Sequence, residues 1–400
     1  PTSRLIGGTS TASRRGPGGC VMPTQRFEAR SVLDAARERI AQVFDLHACG
    51  AITRIIVSVS GGKDSTVLAH LALMEARRRG VRIGVYFLDE EVVYESTVKQ
   101  VQYIMELAPE CVIPMWLQVP FALTNATSLT EGQLIAWEPG KHELWMRPKR
   151  DDAIKARPWD AATETVRDKN KGLGFYDVIE NFERTFTGAA FLVGLRGAES
   201  PNRWRAVSKN PITLDGERVF WGTQKGANVA LYPLYDWNFH DVWKYLHDEG
   251  VRYSRIYDLQ FKKGYPISET RVSSLIHEKS FKALVDLPEF EPKTYARLQK
   301  RIKGIALAQE TAKAASLFRA RKLPKNFTSW IAYRDFLLAT YPDPVKRPIF
   351  ERRFAAHLTN EFVARQQVRQ LVLNDYENNL PVENRDDPRE ALVRYYDEVL

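Results

Sequence analysis

The amino-acid sequence indicates an α/β protein built on a doubly wound parallel sheet and followed by a helical C-terminal region. One observation is the alternation of short apolar runs, at residues 55–59, 81–88 and 111–119, with segments whose apolar residues recur at helical spacing. Another is a glycine pair directly between the first run and a helical segment. The third is the composition of residues 291–370, where helical patterns carry many cations.

Length and composition set the limits of this organisation. The 400 residues, 44% of them hydrophobic, suffice for about two domains. Residues 1–27 are rich in Gly, Ser and Arg and are predicted to be flexible. Residues 28–290 are predicted to form the α/β domain, and residues 291–400 a basic helical region with an acidic tail. We see neither a run of about 20 apolar residues nor a signal-peptide core, and therefore expect a cytoplasmic protein without a membrane partner.

The segment 54–70, R-I-I-V-S-V-S-G-G-K-D-S-T-V-L-A-H, is the centre of the predicted domain. A helix over 27–47 precedes it and is expected to cover one face of the sheet. The strand ends at Gly61 and Gly62, which permit positive φ and let backbone N–H groups approach an anion. A helix over 66–79 follows at once. Strand, glycine turn and helix N-terminus together predict a phosphate site.

This loop is not a Walker A loop, because no four-residue span separates two glycines before the lysine. Its sequence, S-V-S-G-G-K-D-S, resembles the pyrophosphate loop of the N-type ATP pyrophosphatases and of the adenylyl-sulfate and phosphoadenylyl-sulfate reductases, the adenine nucleotide alpha hydrolase-like group. The resemblance implies ATP and Mg²⁺ as cofactors. Lys63 would neutralise the departing pyrophosphate, and Asp64 would help to hold Mg²⁺. The residues expected to bind the nucleotide at this loop are Ser58, Ser60, Gly61, Gly62 and Ser65.

A plain Gly-Gly turn between a strand and a helix is the alternative for this loop. It leaves Lys63, Asp64 and the flanking serines unexplained.

The second predicted strand, residues 81–88, ends at Asp89 and Glu90. A doubly wound sheet places ligand groups at the carboxyl ends of its strands, so Asp89 is a candidate nucleotide-binding residue. In the resembled family the segment that follows lies along the adenosine, which makes Glu95 a weaker candidate. An acidic residue at a helix N-terminus explains Glu95 equally well.

Residues 111–119 predict a third strand, and the alternation then breaks over residues 120–175. This insertion contains Trp137, Trp145 and Trp159 among prolines, glycines and charges. Aromatic side chains interleaved with cations suit stacking and phosphate contact. A loop anchored by tryptophans is the alternative.

The stretch 189–205, A-A-F-L-V-G-L-R-G-A-E-S-P-N-R-W-R, combines a buried strand with a polar turn. It is similar to a segment of the resembled family in which arginines meet the anionic end of the nucleotide, and a planar guanidinium suits that task. The structural alternative is a surface ion pair between Glu199 and Arg203 at i,i+4 spacing. The candidate residues are Arg196, predicted to act in catalysis, and Glu199, Ser200 and Arg203, predicted to bind the nucleotide.

Two further segments extend the resemblance to about residues 29–340. Residues 231–245 match a family segment in which Asp236 or Asn238 starts a helix, with Trp237 and Trp243 as packing residues. The sequence of residues 271–305 resembles the corresponding segment of one subgroup of phosphoadenylyl-sulfate-reductase-like proteins. That subgroup includes the immunoglobulin-binding regulator and relatives carried on mobile elements.

Cysteine usage separates this chain from the reductases that it resembles. Those enzymes attack sulfur with a thiolate from a C-terminal E-C-G-x-H motif, or hold an iron–sulfur cluster on several cysteines. The three cysteines here are Cys20, Cys49 and Cys111, and none follows Cys111. Thiol-based reduction would therefore need a thiol from a partner.

The leading functional hypothesis is an ATP pyrophosphatase-type enzyme: a nucleophile attacks the α-phosphorus of ATP, and an adenylylated product and pyrophosphate leave. The first alternative is a nucleotide-sensing regulator or accessory subunit without turnover. The second is a sulfonucleotide reductase that uses a partner's thiol.

The net charge of +9 is unevenly distributed. Residues 291–370 hold 17 Lys and Arg against 6 Asp and Glu, whereas residues 371–400 hold 3 against 8. The basic region could contact nucleic acid or a protein partner. The alternative is that its cations are solvated helix faces whose charge the acidic tail balances. The cations that would form a nucleic-acid surface are Arg297, Lys300, Arg301, Lys303, Arg319, Arg321, Lys322 and Lys325.

Overall fold

The computed structural model describes residues 30–128, 131–157, 174–208, 211–277, 281–305, 308, 323–378 and 382. The segment 1–27 that we predict to be flexible lies outside these residues, as do Cys20, Trp159, Arg319, Arg321 and Lys322.

The described strands are β1 Arg54–Ser58, β2 Ile83–Leu88, β3 Val112–Leu117, β4 Phe121–Thr124, β5 Gln133–Ala136, β6 Ala189–Val193, β7 Ile212–Leu214, β8 Glu217–Val219, β9 Gly222–Lys225 and β10 Asn228–Leu231. The described α-helices are α1 Val32–Ala48, α2 Lys63–Arg79, α3 Glu95–Glu106, α4 Phe175–Glu183, α5 Pro201–Ser208, α6 Phe239–Asp248, α7 Ile256–Lys262, α8 Phe281–Phe290, α9 Pro292–Arg301, α10 Trp330–Ala339, α11 Arg347–Phe354 and α12 Glu361–Val372.

The main sheet has the order β3-β2-β1-β6-β10-β9. Strands β3, β2, β1, β6 and β10 run parallel, and β9 pairs antiparallel with β10 at one edge. From β1 the chain moves outward through β2 and β3, then returns to place β6 on the other side of β1. The strand order therefore reverses between β1 and β6, and the predicted doubly wound sheet is confirmed.

Helices cover both faces of this sheet. Because side chains alternate along a strand, Val57 and Ile56 of β1 point to opposite faces. Val57 packs in a core shared with α1, α2, α3 and α6. Ile56 packs in a second core, to which α4, α7, α8 and α9 contribute. The helix predicted over 27–47 does cover one face, as α1.

The segment 231–238 is fixed to α1 by a buried ion pair. Of the two residues predicted to start a helix, Asp236 or Asn238, Asp236 receives Arg39 Nη2 at 2.8 Å, and both side chains are buried. The cap of α6 is Asn238, whose side chain accepts the Asp241 N–H at 3.1 Å. Trp237 is a packing residue as predicted, with its indole N–H donated to the carbonyl of Val32 at 3.0 Å.

The predicted insertion begins as an antiparallel hairpin of β4 and β5 and packs against the second core. Trp137 is fully buried, and its Nε1 donates to the carbonyl of Asp89 at 2.6 Å. Trp145 stacks edge-on against Trp137, with ring centroids 5.5 Å apart. These contacts support the loop anchored by tryptophans.

The predicted boundary between residues 290 and 291 does not separate two cores. Leu298 of α9, together with Ile302, lies in the same core as Ile56 of the central strand. Arg301, predicted as part of a nucleic-acid surface, is buried, and its Nε meets Glu91 Oε1 at 2.7 Å. Arg301 is therefore a structural ion-pair residue, and that part of the predicted surface is wrong.

The remaining described helices, α10 to α12, surround a smaller cluster that contains Tyr341, Phe350 and Leu371. Asn374 joins this unit to the insertion, because its side-chain amide donates to the carbonyls of Asn125 at 3.0 Å and Ser128 at 2.7 Å. Among the described helices, none combines the length and the apolar character needed to cross a membrane.

Candidate functional site

The loop after β1 is shaped by one glycine that no other residue can replace without strain. Gly61 has φ +72°, and a Cβ built on it would lie 2.8 Å from Thr97 Cγ2 and 2.9 Å from the Thr97 carbonyl oxygen of α3. Ser65 Oγ closes the turn, because it accepts the Ser60 N–H at 3.1 Å and donates to the Gly62 carbonyl at 3.1 Å. The side chain of Ser65 thus holds the loop in shape.

Helix α2 begins without a side-chain cap, because its N-cap residue is Gly62. The N–H groups that open a helix have no partner within it. Across the described chain, the Lys63 N–H has one acceptor, the hydroxyl oxygen of Tyr257 at 3.1 Å. No acceptor is present there for the N–H groups of Asp64 and Ser65. The helix start therefore presents open donors.

Charged side chains form an alternating chain beside these donors. Lys63 Nζ lies 3.1 Å from Asp64 Oδ2, and Arg196 Nε bonds the other oxygen of the same carboxylate. Arg196 Nη2 lies 3.5 Å from Glu199, which pairs with Arg203 in turn. Lys63 and Arg196 are buried, at 7% and 4% exposure, whereas Arg203 is exposed at the rim.

Arg196 reaches Asp64 because the end of β6 passes very close to α2. A Cβ built on Gly194 would lie 3.0 Å from Ser65 N and 3.1 Å from Ser65 Cα. The chain then continues through a short 3₁₀ helix, Gly197–Glu199, into α5, whose Arg203 N–H meets Ser200 Oγ at 3.3 Å. The predicted residues of both stretches thus meet between β1 and β6, where the strand order reverses.

The electrostatics of the loop follow from this packing. Burial raises the pKa of Asp64, but Lys63 and Arg196 outweigh burial and hold that pKa below its ordinary value. Burial lowers the pKa of Lys63; Asp64 opposes this shift, and Arg196 and Arg271 add to it. The carboxylate is therefore ionised, and the ammonium group is poorly solvated.

Two family models match the chain that carries this site. Residues 54–264, more than half of the chain, match the phosphoadenosine phosphosulfate reductase domain. The chain belongs to this reductase domain family. Residues 264–376 match a domain of unknown function, DUF3440.

Two individual proteins are also similar to the chain. The chain is 26% identical over 321 residues to Uncharacterized protein YbdN of Escherichia coli (strain K12), covering 78% of this chain and 76% of that protein. It is 32% identical over 77 residues to adenosine 5'-phosphosulfate reductase of Anoxybacillus flavithermus (strain DSM 21510 / WK1), covering 19% of this chain and 26% of the reductase.

Two solved structures are also similar to the chain. Phosphoadenylyl-sulfate reductase from Candida auris matches with 13% identity and a TM-score of 0.32, covering 63% of this chain and 97% of that one. Candida glabrata FMN adenylyltransferase matches with 13% identity and a TM-score of 0.32, covering 58% of this chain. The chain spans 63% of that adenylyltransferase, less than two thirds.

The reductase-domain site contains two residues that our sequence reasoning did not assign to it. Tyr257 of α7 bonds the start of α2, and Arg271 lies within electrostatic range of Lys63 and Arg203. Arg271 begins the segment 271–305 that resembles the subgroup. The sequence therefore indicated the motif but not a role for this arginine in the site. No sequence pattern pointed to Tyr257, because its position beside the loop depends on how α7 packs against α2.

Asp89 has a different environment from the one predicted. Its carboxylate is fully buried and accepts from Trp116 Nε1 and Gln118 Nε2, each at 2.9 Å, and from Arg147. The Glu91 N–H donates to it as well, at 3.0 Å. Each carboxylate oxygen thus accepts two hydrogen bonds from the protein, and the carboxylate fastens the insertion to the end of β2. This geometry argues against Asp89 as a ligand residue.

Glu95 lies in the first turn of α3. Its carboxylate lies 3.5 Å from Arg297 and 4.0 Å from Lys99. These contacts favour the acidic residue at a helix start over the adenosine contact.

The described cysteines lie at the opposite edge of the sheet from the loop. Cys49 precedes β1, and Cys111 precedes β3, whereas the loop follows the carboxyl end of β1. Strand β1 alone spans about 17 Å at about 3.3 Å per residue. Neither thiol can reach a ligand at the loop. A cavity of ≈ 270 Å³ lies at the same opposite edge, lined among others by His47, Arg54 and Arg82.

Proposed function

We propose that this reductase-domain protein binds ATP with its Mg²⁺ at the loop 60–65 and cleaves it between the α- and β-phosphates, transferring the adenylyl group to an acceptor. The observation that carries the proposal is the cluster of four cations around two carboxylates beside the open N–H groups of α2. The cations are Lys63, Arg196, Arg203 and Arg271, and the carboxylates are Asp64 and Glu199.

This cluster has a net charge of +2, which suits a polyphosphate. The helix N-terminus adds a positive dipole end and donors that point toward a bound anion. Glycine at 61 and 62 leaves room for phosphoryl oxygens to approach the backbone. The arginines can form paired, charge-assisted bonds to phosphate oxygens. The site therefore combines the features expected of a pyrophosphate cradle.

In the reaction, an oxygen or nitrogen nucleophile of the acceptor forms a bond to the α-phosphorus, and a hydroxyl or amine acceptor releases its proton to water. The bond between that phosphorus and the bridging oxygen breaks, and its electron pair leaves on pyrophosphate. Negative charge grows on this leaving group, and the open N–H groups and Lys63 stabilise it. Arg196 shields the charge repulsion between Asp64 and the phosphates.

Mg²⁺ enters this scheme as part of the substrate. The described residues hold no group of three His, Cys, Asp or Glu side chains that could bind a metal by themselves. Mg²⁺ commonly binds one or two carboxylates together with substrate phosphates and water. Asp64 is the carboxylate beside the open N–H groups of α2, and it fits that mode.

The test uses Lys63→Ala and Asp64→Ala, with Lys244→Ala as the matched control. Lys244 forms an exposed ion pair with Asp248 on α6 and does not touch the loop. For Lys63→Ala, loss of one charge-assisted phosphate contact is expected to cost about 1.5–3 kcal/mol, or roughly tenfold to a hundredfold in ATP affinity. Asp64→Ala removes the carboxylate proposed to hold Mg²⁺ and is expected to reduce pyrophosphate release. Calorimetry measures binding, and a coupled assay measures pyrophosphate release.

Unchanged binding and release in both loop variants would refute the proposal. ATP binding without pyrophosphate release, tested across amine, hydroxyl and carboxylate acceptors, would favour the sensing regulator instead.

A further inference from the structure

Tyr257 lies against the loop although it belongs to α7, almost 200 residues along the chain. Its hydroxyl oxygen accepts the Lys63 N–H at 3.1 Å. A Cβ built on Gly62 would lie 3.5 Å from the same oxygen. The phenol therefore stands at the place where an anion would meet the first turn of α2.

The position of this hydroxyl is fixed by aromatic packing. The Tyr257 ring is buried and meets Trp243 edge-on, with centroids 5.3 Å apart. Tyr253 lies 6.4 Å away on another side, and Lys63 Nζ lies 5.6 Å from the ring centroid. A ring held from several sides cannot swing away without opening the core, so its hydroxyl is a preorganised group.

The hydroxyl also keeps a proton that it can donate. Burial raises the pKa of Tyr257 far above its ordinary value, and the charge of Asp64 adds to the shift. The phenol is therefore neutral over the physiological range. A tyrosine hydroxyl both accepts and donates. Its accepting side is used by Lys63 N–H, and within the described part of the chain no group accepts its proton.

We propose that Tyr257 is a phosphate-binding residue that donates its hydroxyl proton to a phosphoryl oxygen of the pyrophosphate end of the nucleotide. The inference rests on the proposed function, because it needs an anion at the loop. Tyr257 would add a neutral hydrogen-bond donor to the four cations. Helix α7, which follows the last strand of the sheet, would then be part of the site. A hydroxyl donates one hydrogen bond to one phosphoryl oxygen, whereas the charge of the cations also acts on an anion at longer range.

The test compares Tyr257→Phe with Tyr253→Phe, using calorimetry with inorganic pyrophosphate and with ATP. Both variants remove one hydroxyl from the same aromatic cluster. The Tyr253 hydroxyl donates to Asp258 at 2.9 Å, away from the loop. We expect Tyr257→Phe to weaken pyrophosphate binding about tenfold or more and Tyr253→Phe to leave it unchanged. Circular dichroism establishes that both variants are folded.

Equal or tighter pyrophosphate binding by Tyr257→Phe would overturn the inference, because the hydroxyl would then serve only to cap α2. The proposed function would survive that result. Failure of the wild-type protein to bind either pyrophosphate or ATP would refute the proposed function, and the inference with it.

A measurement on the wild-type protein covers the case in which Tyr257→Phe does not fold. The protein is labelled with ¹³C at tyrosine Cζ and ¹⁵N at lysine. The Tyr257 resonance is identified by its proximity to the Lys63 amide. It is expected to shift as pyrophosphate is added, and an unmoved resonance at saturation would overturn the inference.

Discussion

Two neighbouring helices, α2 and α3, begin at the same edge of the sheet, but different groups accept the hydrogen bonds of their first N–H groups. Both follow parallel strands, so their N-termini lie at the carboxyl ends of β1 and β2. At α3, the buried carboxylate of Glu291 accepts the Glu95 N–H at 2.8 Å and the Ser96 N–H at 2.9 Å. At α2, the acceptor is the neutral hydroxyl of Tyr257.

This difference indicates which helix start is available to a ligand. A helix N-terminus stabilises negative charge. At α3 the protein supplies that charge from Glu291, the N-cap residue of α9, so the position is filled. At α2 the surrounding side chains are mainly cationic, and the described chain places no carboxylate on the opening N–H groups. The comparison therefore favours α2 as the position of an external anion.

The two helix starts are also in contact with each other. Gly61 of the loop packs on Thr97, the third residue of α3. Glu291 fixes the first turn of α3 and so fixes the surface on which the loop rests. The C-terminal region thus contributes to the loop indirectly, through α3. Substitutions in the loop and at Glu291 can therefore distinguish residues that support the loop from residues that contact the ligand.

The largest effect is expected from Gly61→Ala. The new Cβ would lie 2.8 Å from Thr97 Cγ2, so either the loop or α3 must shift. The alanine would also have to adopt the positive φ of +72°. Backbone strain alone costs about 1–3 kcal/mol. We expect at least a hundredfold loss of ATP affinity by calorimetry. The control is Gly80→Ala, at the other end of α2, where φ is +67° but nothing lies within 4 Å.

Gly80→Ala should lower the unfolding free energy through the positive φ yet leave ATP affinity unchanged. Equal loss of affinity in both variants would contradict the importance of the contact between the loop and α3.

A smaller effect is expected from Glu291→Ala, which removes the anion from α3. The variant leaves two N–H groups of the first turn without an acceptor. We expect the unfolding free energy to fall by about 2 kcal/mol in urea denaturation. Glu289→Ala is the control, because Glu289 is exposed and, among the residues that the structure describes, forms its ion pair with Lys263 at the surface. A fall no larger than that of the control would show that the cap is dispensable.

Much of this arrangement could be predicted because it depends on local sequence. The strand, the glycine turn and the helix of the loop are contiguous, and the position of Arg196 follows from the strand before it. Parallel strands end at one edge, so the two stretches were expected to meet. The contact between Arg196 and Asp64 agrees with that expectation.

The sequence was least informative where a partner comes from a distant part of the chain. Asp89 has the position of a ligand residue, but its buried carboxylate accepts hydrogen bonds from Arg147 of the insertion and Trp116 of β3, among other donors. Arg301 looks like one of several helix cations, yet Glu91, 210 residues away, pairs with it in the core. Charge patterns in sequence give the sign of a region, and only packing shows which charges remain exposed.

The smallest effect concerns the cations at the C-terminal end of α9, the helix that follows Glu291. Lys300 and Lys303 are exposed, whereas Arg301 is buried and Arg297 pairs with Glu95. If this surface binds nucleic acid, two phosphate contacts predict only about a tenfold loss of affinity between 50 and 200 mM salt. We expect Lys300→Glu with Lys303→Glu to remove this salt dependence in a gel-shift titration, while ATP binding stays unchanged. A much steeper dependence that survives the double variant would place any nucleic-acid contact elsewhere, and absence of binding at low salt would leave these lysines as solvated charges.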